Sequence, residues 1–295
     1  MMAAMTTVNP LPLPTVPARG LVQRTWVDVR VLAGFTDQNH FQGLVGEYLA
    51  TLDAVEQQQV LAAAQAAREA AKALQEVPLA DVVVRQAGGS VVEGLLADPL
   101  FMTTFQARPF GFQYVRADRL IAVQATVNPR HDLVPDGEDE LLAFCLPHRW
   151  DVPAEISFVP PAGPIQITSS SPTLQTVKME MERATGKVTL APAPHINLVQ
   201  VQEFNGRFYL RNGYHRVYDL LSAGRVEIPA LVSQALAPQE VELGPAGFGI
   251  GYTMGLARPP LVADLLGPST IKTKVRERRY GVAINLDFKQ FNIGI

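Results

Sequence analysis

Residues 212–216, with the sequence NGYHR, combine side chains that can bind an anion and move a proton. They follow a strand-like run, RFYLR, and begin a short helical pattern, where backbone N–H groups and the positive end of a helix dipole are exposed. Gly213 permits a tight turn, Arg216 offers a charged fork for phosphate, and His215 can donate a hydrogen bond or transfer a proton. The segment predicts a phosphate site, with Asn212 as helix cap or oxygen ligand; a plain Asn-Gly turn is the alternative.

Regular apolar patterns flank this turn and predict the elements that position it. The stretch INLVQVQE (196–203) alternates apolar and polar residues as a strand does, and FNG turns the chain into RFYLR (207–211). After the short helix, Gly224 fits a helix stop, and VEIPALV (226–232) predicts a third strand. A strand, a helix and a strand in so short a span favour a parallel or mixed α/β arrangement.

The composition divides the chain into four predicted regions. Prolines crowd residues 1–24, which we expect to form a flexible tail or an arm laid over a partner. A mainly helical region (25–108), an α/β core with an insertion (109–235) and a β-rich extension (236–295) follow. The insertion is expected to hold a helix over 171–186, with Ser171 as its cap. The fold class expected is therefore mixed α+β.

Two helices are predicted in the second region, at about 41–52 and 53–76. Both segments are rich in Ala, Leu, Gln and Glu, which lose little entropy in a helix. Asp53 is expected to cap the second helix.

A second patch with possible chemistry lies near the end of the chain, in KTKVRERR (272–279). Basic residues occupy every second position and therefore share one face of a strand; they are Lys272, Lys274, Arg276 and Arg278. This face predicts contact with nucleic acid or a nucleotide. The alternative is that the basic side chains are only solvated and keep the edge of the sheet from pairing with another strand. The alternating run GVAINLDF (281–288) predicts that the chain ends in a hairpin or a pair of strands.

Composition and charge exclude several function classes. The 295 residues carry a net charge of −3, which argues against non-specific nucleic-acid binding by the whole molecule but leaves room for a local basic patch. The one cysteine, Cys145, excludes an intramolecular disulfide and a cysteine-based metal site within the chain, and its apolar setting predicts a buried thiol. No run approaches 18 apolar residues and no signal-peptide pattern is evident, so we expect a cytoplasmic protein without a membrane partner. No residue pattern predicts a metal site formed by side chains of the protein itself.

The run GRFYLRNGYHRVYDLLSAGRVEIPALV resembles the signature segment of the ParB/sulfiredoxin-like superfamily, in which a strand leads into a Gly-x-His-Arg or Gly-Glu-Arg-Arg turn, a helix and another strand. The upstream run YVRADRLIAVQATVN (114–128) resembles the other sequence motif of that superfamily, and we call this run the first box. The NGYHR turn, the RPPLV segment and the β-rich end also resemble an uncharacterised bacterial branch. The resemblance implies a ParB/sulfiredoxin-like core with an N-terminal helical segment and a β-rich C-terminus.

In that superfamily the turn and the start of the helix hold nucleotide phosphates. The resemblance therefore implies a nucleoside triphosphate, with Mg²⁺, as the ligand. The residues that it assigns to the pocket are Asn212, Gly213, His215 and Arg216 of the turn and Arg119, Gln124 and Asn128 of the first box.

Departures from the superfamily pattern leave the reaction open. Tyr214 stands where sulfiredoxins have cysteine, so sulfinic-acid reduction is not expected, and no helix-turn-helix pattern follows as in partition proteins. ATPase, phosphotransfer and nuclease chemistry all require a carboxylate near the phosphate site. His215, Glu203 and Asp118 are the candidate catalytic residues.

A non-catalytic role is the alternative. The protein would reuse the fold for assembly, as a homo-oligomer or with other proteins, and would contact nucleic acid through the basic C-terminal strand. The Pro-rich arm, the Ala-rich helices and the substituted turn favour this interpretation.

Overall fold

The computed structural model describes residues 26–129, 134–147, 155–158, 165–169, 177–182, 187–192, 197–242, 247–277 and 280–284. The chain divides into two compact units. The larger comprises 26–150 and 196–276, and the smaller comprises 1–25, 151–195 and 277–295. The predicted tail (1–24) and Arg278 lie outside the described residues.

The described elements fall in the following order. The strands are β1 (Trp26–Val31), β2 (Val83–Gln86), β3 (Phe110–Arg116), β4 (Ile121–Ala122), β5 (Thr126–Val127), β6 (Glu155–Phe158), β7 (Ile165–Ser169), β8 (Val177–Glu182), β9 (Lys187–Pro192), β10 (Gln200–Phe204), β11 (Arg207–Asn212), β12 (Glu227–Gln234), β13 (Ile271–Arg276) and β14 (Tyr280–Ile284). The helices are α1 (Gln38–Leu49), α2 (Ala54–Lys72), α3 (Ser90–Ala97), α4 (Pro99–Phe105), α5 (Glu138–Cys145), α6 (Tyr214–Ser222), α7 (Pro238–Val241) and α8 (Ile250–Gly255). Short 3₁₀ turns occupy Ala33–Phe35, Ala117–Arg119 and Val262–Leu266.

A six-stranded mixed sheet forms the centre of the larger unit, in the order β2-β3-β12-β10-β11-β4. β10 and β11 form an antiparallel hairpin, and β12 returns parallel to β10 after α6. The predicted strand, helix and strand around the NGYHR turn are therefore confirmed, as is the mixed α+β class. The apolar side chains of these strands and of α6 belong to one buried core.

A second sheet in the same unit has the order β13-β1-β5. Side chains alternate along β1 and β13, so that Val29, Val31 and Ile271 are buried in a small core with α1 and α2. The helices α1 and α2 agree with the predicted helical pair, and the Asp53 carboxylate caps α2 by accepting from the backbone N–H groups of Val55 and Glu56. The opposite face of this sheet carries the basic residues of β13.

Gly34 allows α2 to approach the end of β1. A Cβ atom at this position would lie 2.7 Å from the Ala67 carbonyl oxygen, 2.8 Å from the Ala71 Cβ and 2.9 Å from the Ser269 Cβ. Ala67 and Ala71 of α2 therefore pack directly against Gly34. The backbone N–H of Gly34 donates to the Ser269 carbonyl oxygen.

The smaller unit contains a three-stranded sheet, β14-β7-β6, and the separate antiparallel pair β8-β9. One sequence expectation is wrong in this part of the chain. The helix predicted over 171–186 is wrong where β8 lies, because VKMEME alternates apolar and polar residues with the two-residue period of a strand and pairs with β9. Of the two endings predicted for the chain, the pair of strands is found as β13 and β14, whereas a hairpin is not formed, because β13 pairs with β1 and β14 pairs with β7.

The Cys145 side chain is fully buried, as its apolar setting predicts. Burial raises the pKa of its thiol to about 12, so the reactive thiolate form is suppressed at neutral pH. Among the described helices, none combines the length and the apolar character needed to cross a membrane.

Replacement of Gly34 by Ala is expected to destabilise the protein by about 1–3 kcal/mol, since the added methyl group would force α2 away from the sheet. Gly46 provides a matched control, because it lies in α1 with no atom within 4 Å of an added Cβ. Gly46→Ala is expected to be neutral or stabilising by up to about 1 kcal/mol through helix propensity. Urea unfolding curves check both changes, and an equal effect of the two substitutions would contradict the packing described for Gly34.

Candidate functional site

The NGYHR segment forms a sharp turn between β11 and α6, as predicted. Gly213 takes a φ of 94°, in the left-handed region that favours glycine. An added Cβ would lie 2.9 Å from Val199 Cγ2 and 3.1 Å from Val199 Cα. Glycine is therefore required both by the backbone angle and by Val199, which occupies the space beside its Cα atom.

Two polar side chains of the turn bind neighbouring backbone groups. The Asn212 amide donates to the Leu198 carbonyl oxygen and to Asn197 Oδ1, both at 3.0 Å. Arg216 is 5% exposed, and its guanidinium donates to the carbonyl oxygens of Phe144 at 2.9 Å and Asn197 at 2.7 Å. Phe144 lies in the last turn of α5, where carbonyl groups have no partner within the helix. Asn212 and Arg216 thus fasten segment 197–198 and the end of α5 to the turn.

Tyr214 is the third anchor of the turn. Its hydroxyl donates to the Leu210 carbonyl oxygen at 2.7 Å and accepts from the backbone N–H groups of Val123 and Gln124 at 2.7 and 3.1 Å. Burial raises the pKa of Tyr214, so the phenol is neutral at physiological pH. Tyr214 therefore joins the turn to the chain that follows β4.

His215 connects the turn to the first box. Its Nδ1 atom lies 2.5 Å from the Asn128 carbonyl oxygen, and because a carbonyl only accepts, Nδ1 carries the hydrogen. In the neutral ring this tautomer leaves Nε2 as the acceptor. The structure therefore brings together His215 and Asn128, which the resemblance places in one pocket.

Arg211 is a basic residue of this region for which the sequence predicts no role. It lies at a β-bulge, because Gln200 pairs with Asn212 and Val201 with Leu210, so that Arg211 has no opposite residue on β10. Its side chain is part-buried, and its guanidinium makes no hydrogen bond or ion pair with the described residues. Burial lowers the pKa of Arg211, which means that its charged form is poorly compensated. The one sequence feature that indicates a role for Arg211 is its position directly before the Asn-Gly pair of the turn.

The other first-box residues make local contacts. Gln124 donates through its side-chain amide to the Thr126 carbonyl oxygen, and its backbone N–H meets the Tyr214 hydroxyl, which places it beside the turn. Arg119 donates to the Ala80 carbonyl oxygen at 2.8 Å. Asp118 accepts two hydrogen bonds from Arg116, at 2.8 and 3.0 Å. Neither Arg119 nor Asp118 makes a hydrogen bond with the turn among the described contacts.

Glu203 is also separated from the turn. It lies on β10 three residues beyond Gln200, the residue paired with Asn212, so it is about 10 Å farther along the sheet. The described contacts therefore join His215 to neither of the two carboxylates considered for catalysis. Among the described residues, no group of three or more His, Cys, Asp or Glu side chains is placed to hold a metal ion.

The basic residues of β13 form a second cluster, on the exposed face of the β13-β1-β5 sheet. Lys272 pairs with Arg30 across the ladder, and Lys274 pairs with Asp28. A cleft of about 410 Å³ lies beside them and is lined by residues that include Trp26, Arg30, Asn128 and Lys272. Asn128 therefore belongs both to this cleft and, through its carbonyl oxygen, to the contact with His215.

Comparisons of this chain with protein-family models, curated proteins and solved structures find no match. The resemblance to the ParB/sulfiredoxin-like superfamily therefore stays a prediction.

Replacement of Arg216 by Met is expected to destabilise the protein by about 3 kcal/mol, because buried carbonyl groups at the end of α5 and at Asn197 would lose their donors. Arg119→Met is the matched control, since that side chain makes one hydrogen bond at a part-exposed position. A much smaller change is expected for this control. Guanidinium unfolding monitored by circular dichroism measures both variants, and wild-type stability of Arg216→Met would disprove the anchoring role.

Proposed function

We propose that this protein binds a phosphate-bearing nucleotide at the turn between β11 and α6, and that Arg211 supplies the charge that holds the phosphate. The observation that carries the proposal is the part-buried guanidinium of Arg211, which has no hydrogen bond or ion pair with the described residues. The core is proposed to be of the ParB/sulfiredoxin-like type, supported by the order of strand, NGYHR turn, helix and strand.

The energetics of Arg211 favour an anionic ligand. A charged group that is removed from water without a partner is costly, and an approaching anion relieves that cost. The neighbouring Tyr214 hydroxyl cannot serve as a counterion, because burial raises the pKa of Tyr214 and keeps it neutral. A guanidinium matches phosphate through two parallel N–H donors, which makes phosphate a suitable anion.

The bulge on β11 gives Arg211 its placement. A β-bulge inserts one residue into a strand and redirects its side chain, and bulges are common beside functional sites. The bulge lies directly before Gly213, whose turn is fixed by Asn212, Tyr214 and Arg216. Under the proposal these three residues hold the site in shape, while Arg211 and the nearby Gln124 and His215 face the ligand's phosphates.

The proposal is limited to binding. A nucleoside triphosphate with Mg²⁺ remains the expected ligand, and Arg211 fits its phosphate charge. Glu203 lies about 10 Å along β10 from the turn and Asp118 is paired with Arg116, so neither of these two carboxylates is assigned to the metal or to a reaction.

Calorimetric titration with ATP, CTP, GTP and ADP, with and without Mg²⁺, tests the proposal. The native protein is expected to bind at least one of them with micromolar affinity. Arg211→Gln is expected to weaken that binding about 10-fold or more, since a charge-assisted hydrogen bond contributes about 1.5–3 kcal/mol.

Arg225→Gln serves as the matched control for the loss of one positive charge. Arg225 follows the other end of α6, is part-exposed and donates to the Asp136 carbonyl oxygen. Its replacement is expected to leave nucleotide affinity unchanged. If the well-folded native protein binds none of the four nucleotides, or if Arg211→Gln binds as tightly as the native protein, the proposal fails and the assembly alternative gains support.

A further inference from the structure

The exposed face of the β13-β1-β5 sheet concentrates positive charge on a protein whose net charge is −3. Its cations are Arg30 on β1 and Lys272, Lys274 and Arg276 on β13, which we call the basic face. Asp28 is the carboxylate on the same face, opposite Lys274. Arg276 has a loose ion pair with Glu47 on α1, at 3.5 Å.

The pairing within the basic face is unfavourable for the protein alone. Arg30 and Lys272 are directly opposite in the antiparallel ladder, and like charges in that position repel. Neither side chain, nor that of Lys274, makes an ion pair with a described residue. A bound polyanion would remove this repulsion.

The cations of β13 are also regularly spaced. Lys272, Lys274 and Arg276 occupy every second position, so their Cα atoms are about 6.7 Å apart along the strand. A row of evenly spaced cations fits a ligand with repeated phosphates better than it fits a single anion.

An aromatic side chain lies at the same surface. Trp26 is part-exposed, pairs with Arg276 across the ladder and lines the cleft of about 410 Å³ together with Arg30 and Lys272. Tyr48 contacts the indole, with ring centroids 5.4 Å apart, and so holds it in place. Single-stranded nucleic acids are bound by this combination, in which a basic surface follows the backbone and aromatic rings stack on bases.

We propose that the basic face binds single-stranded nucleic acid, with phosphates along β13 and a base stacked on Trp26. This site does not depend on the nucleotide site at the turn, because none of its charged residues belongs to that turn. The cleft is large enough for one nucleotide unit of the strand.

Fluorescence anisotropy of labelled oligothymidylate and oligouridylate, measured on the full chain at several salt concentrations, tests the proposal. Affinity is expected to fall steeply with salt, and Lys272→Gln or Lys274→Gln is expected to lower the slope of log K against log salt by about 0.7 for each lost phosphate contact. Lys72→Gln removes a charge from the exposed face of α2 and is expected to change nothing. Trp26→Leu is expected to weaken binding about 10-fold without changing the slope.

Several outcomes would overturn the proposal. These are absence of binding, an effect of Lys72→Gln equal to that of Lys274→Gln, and binding to a duplex of the same length as tight as to the single strand. The Lys272 and Lys274 variants keep the test valid if Trp26→Leu fails to fold. Arg211→Gln is expected to leave oligonucleotide binding intact, so failure of the nucleotide site and failure of the basic face can be distinguished.

Discussion

The larger unit depends on the buried guanidinium of Arg216. A single side chain joins α6, the last turn of α5 and the segment that leads into β10, through hydrogen bonds to backbone carbonyl oxygens. Tyr214 makes the corresponding connection on the other side, to the chain that follows β4. Arg216, which the sequence predicts to bind phosphate, and Tyr214 therefore both hold the turn in place through hydrogen bonds to the backbone.

Because Arg216 and Tyr214 are already hydrogen-bonded within the protein, fewer groups of the turn can contact a ligand. Val199 fills the space beside the Cα atom of Gly213. The Asn212 side chain is hydrogen-bonded to the Leu198 carbonyl oxygen. The proposal therefore assigns the ligand's counter-charge to Arg211, which the β-bulge sets apart from the ladder. Under the proposal, a rigid turn with one uncompensated cation at its edge would act as a preorganised anion site, because the ligand would not have to break existing contacts to bind.

The fold could be predicted from the sequence wherever the signal is local. The alternation in β10 and β11, the Asp53 cap and the stop at Gly224 each determine structure within a few residues, and these predictions are confirmed. Long-range partners leave no such signal, which is why the pairing of β13 with β1 was not foreseen. The same limit applies to the site. The residue types in NGYHR can be read from the sequence, but the carbonyl groups that Arg216 binds and the β-bulge at Arg211 cannot, because both depend on distant segments of the chain.

The most direct test of this account is NMR observation of the arginine Nε–H resonances during titration with ATP. The account predicts that the Arg211 resonance shifts progressively with ligand, whereas the Arg216 resonance keeps its position and its protection from solvent exchange. A shift of Arg216 with loss of that protection, while Arg211 stays unchanged, would contradict the account. That result would show that the NGYHR turn releases its anchors and binds the nucleotide through the motif arginine.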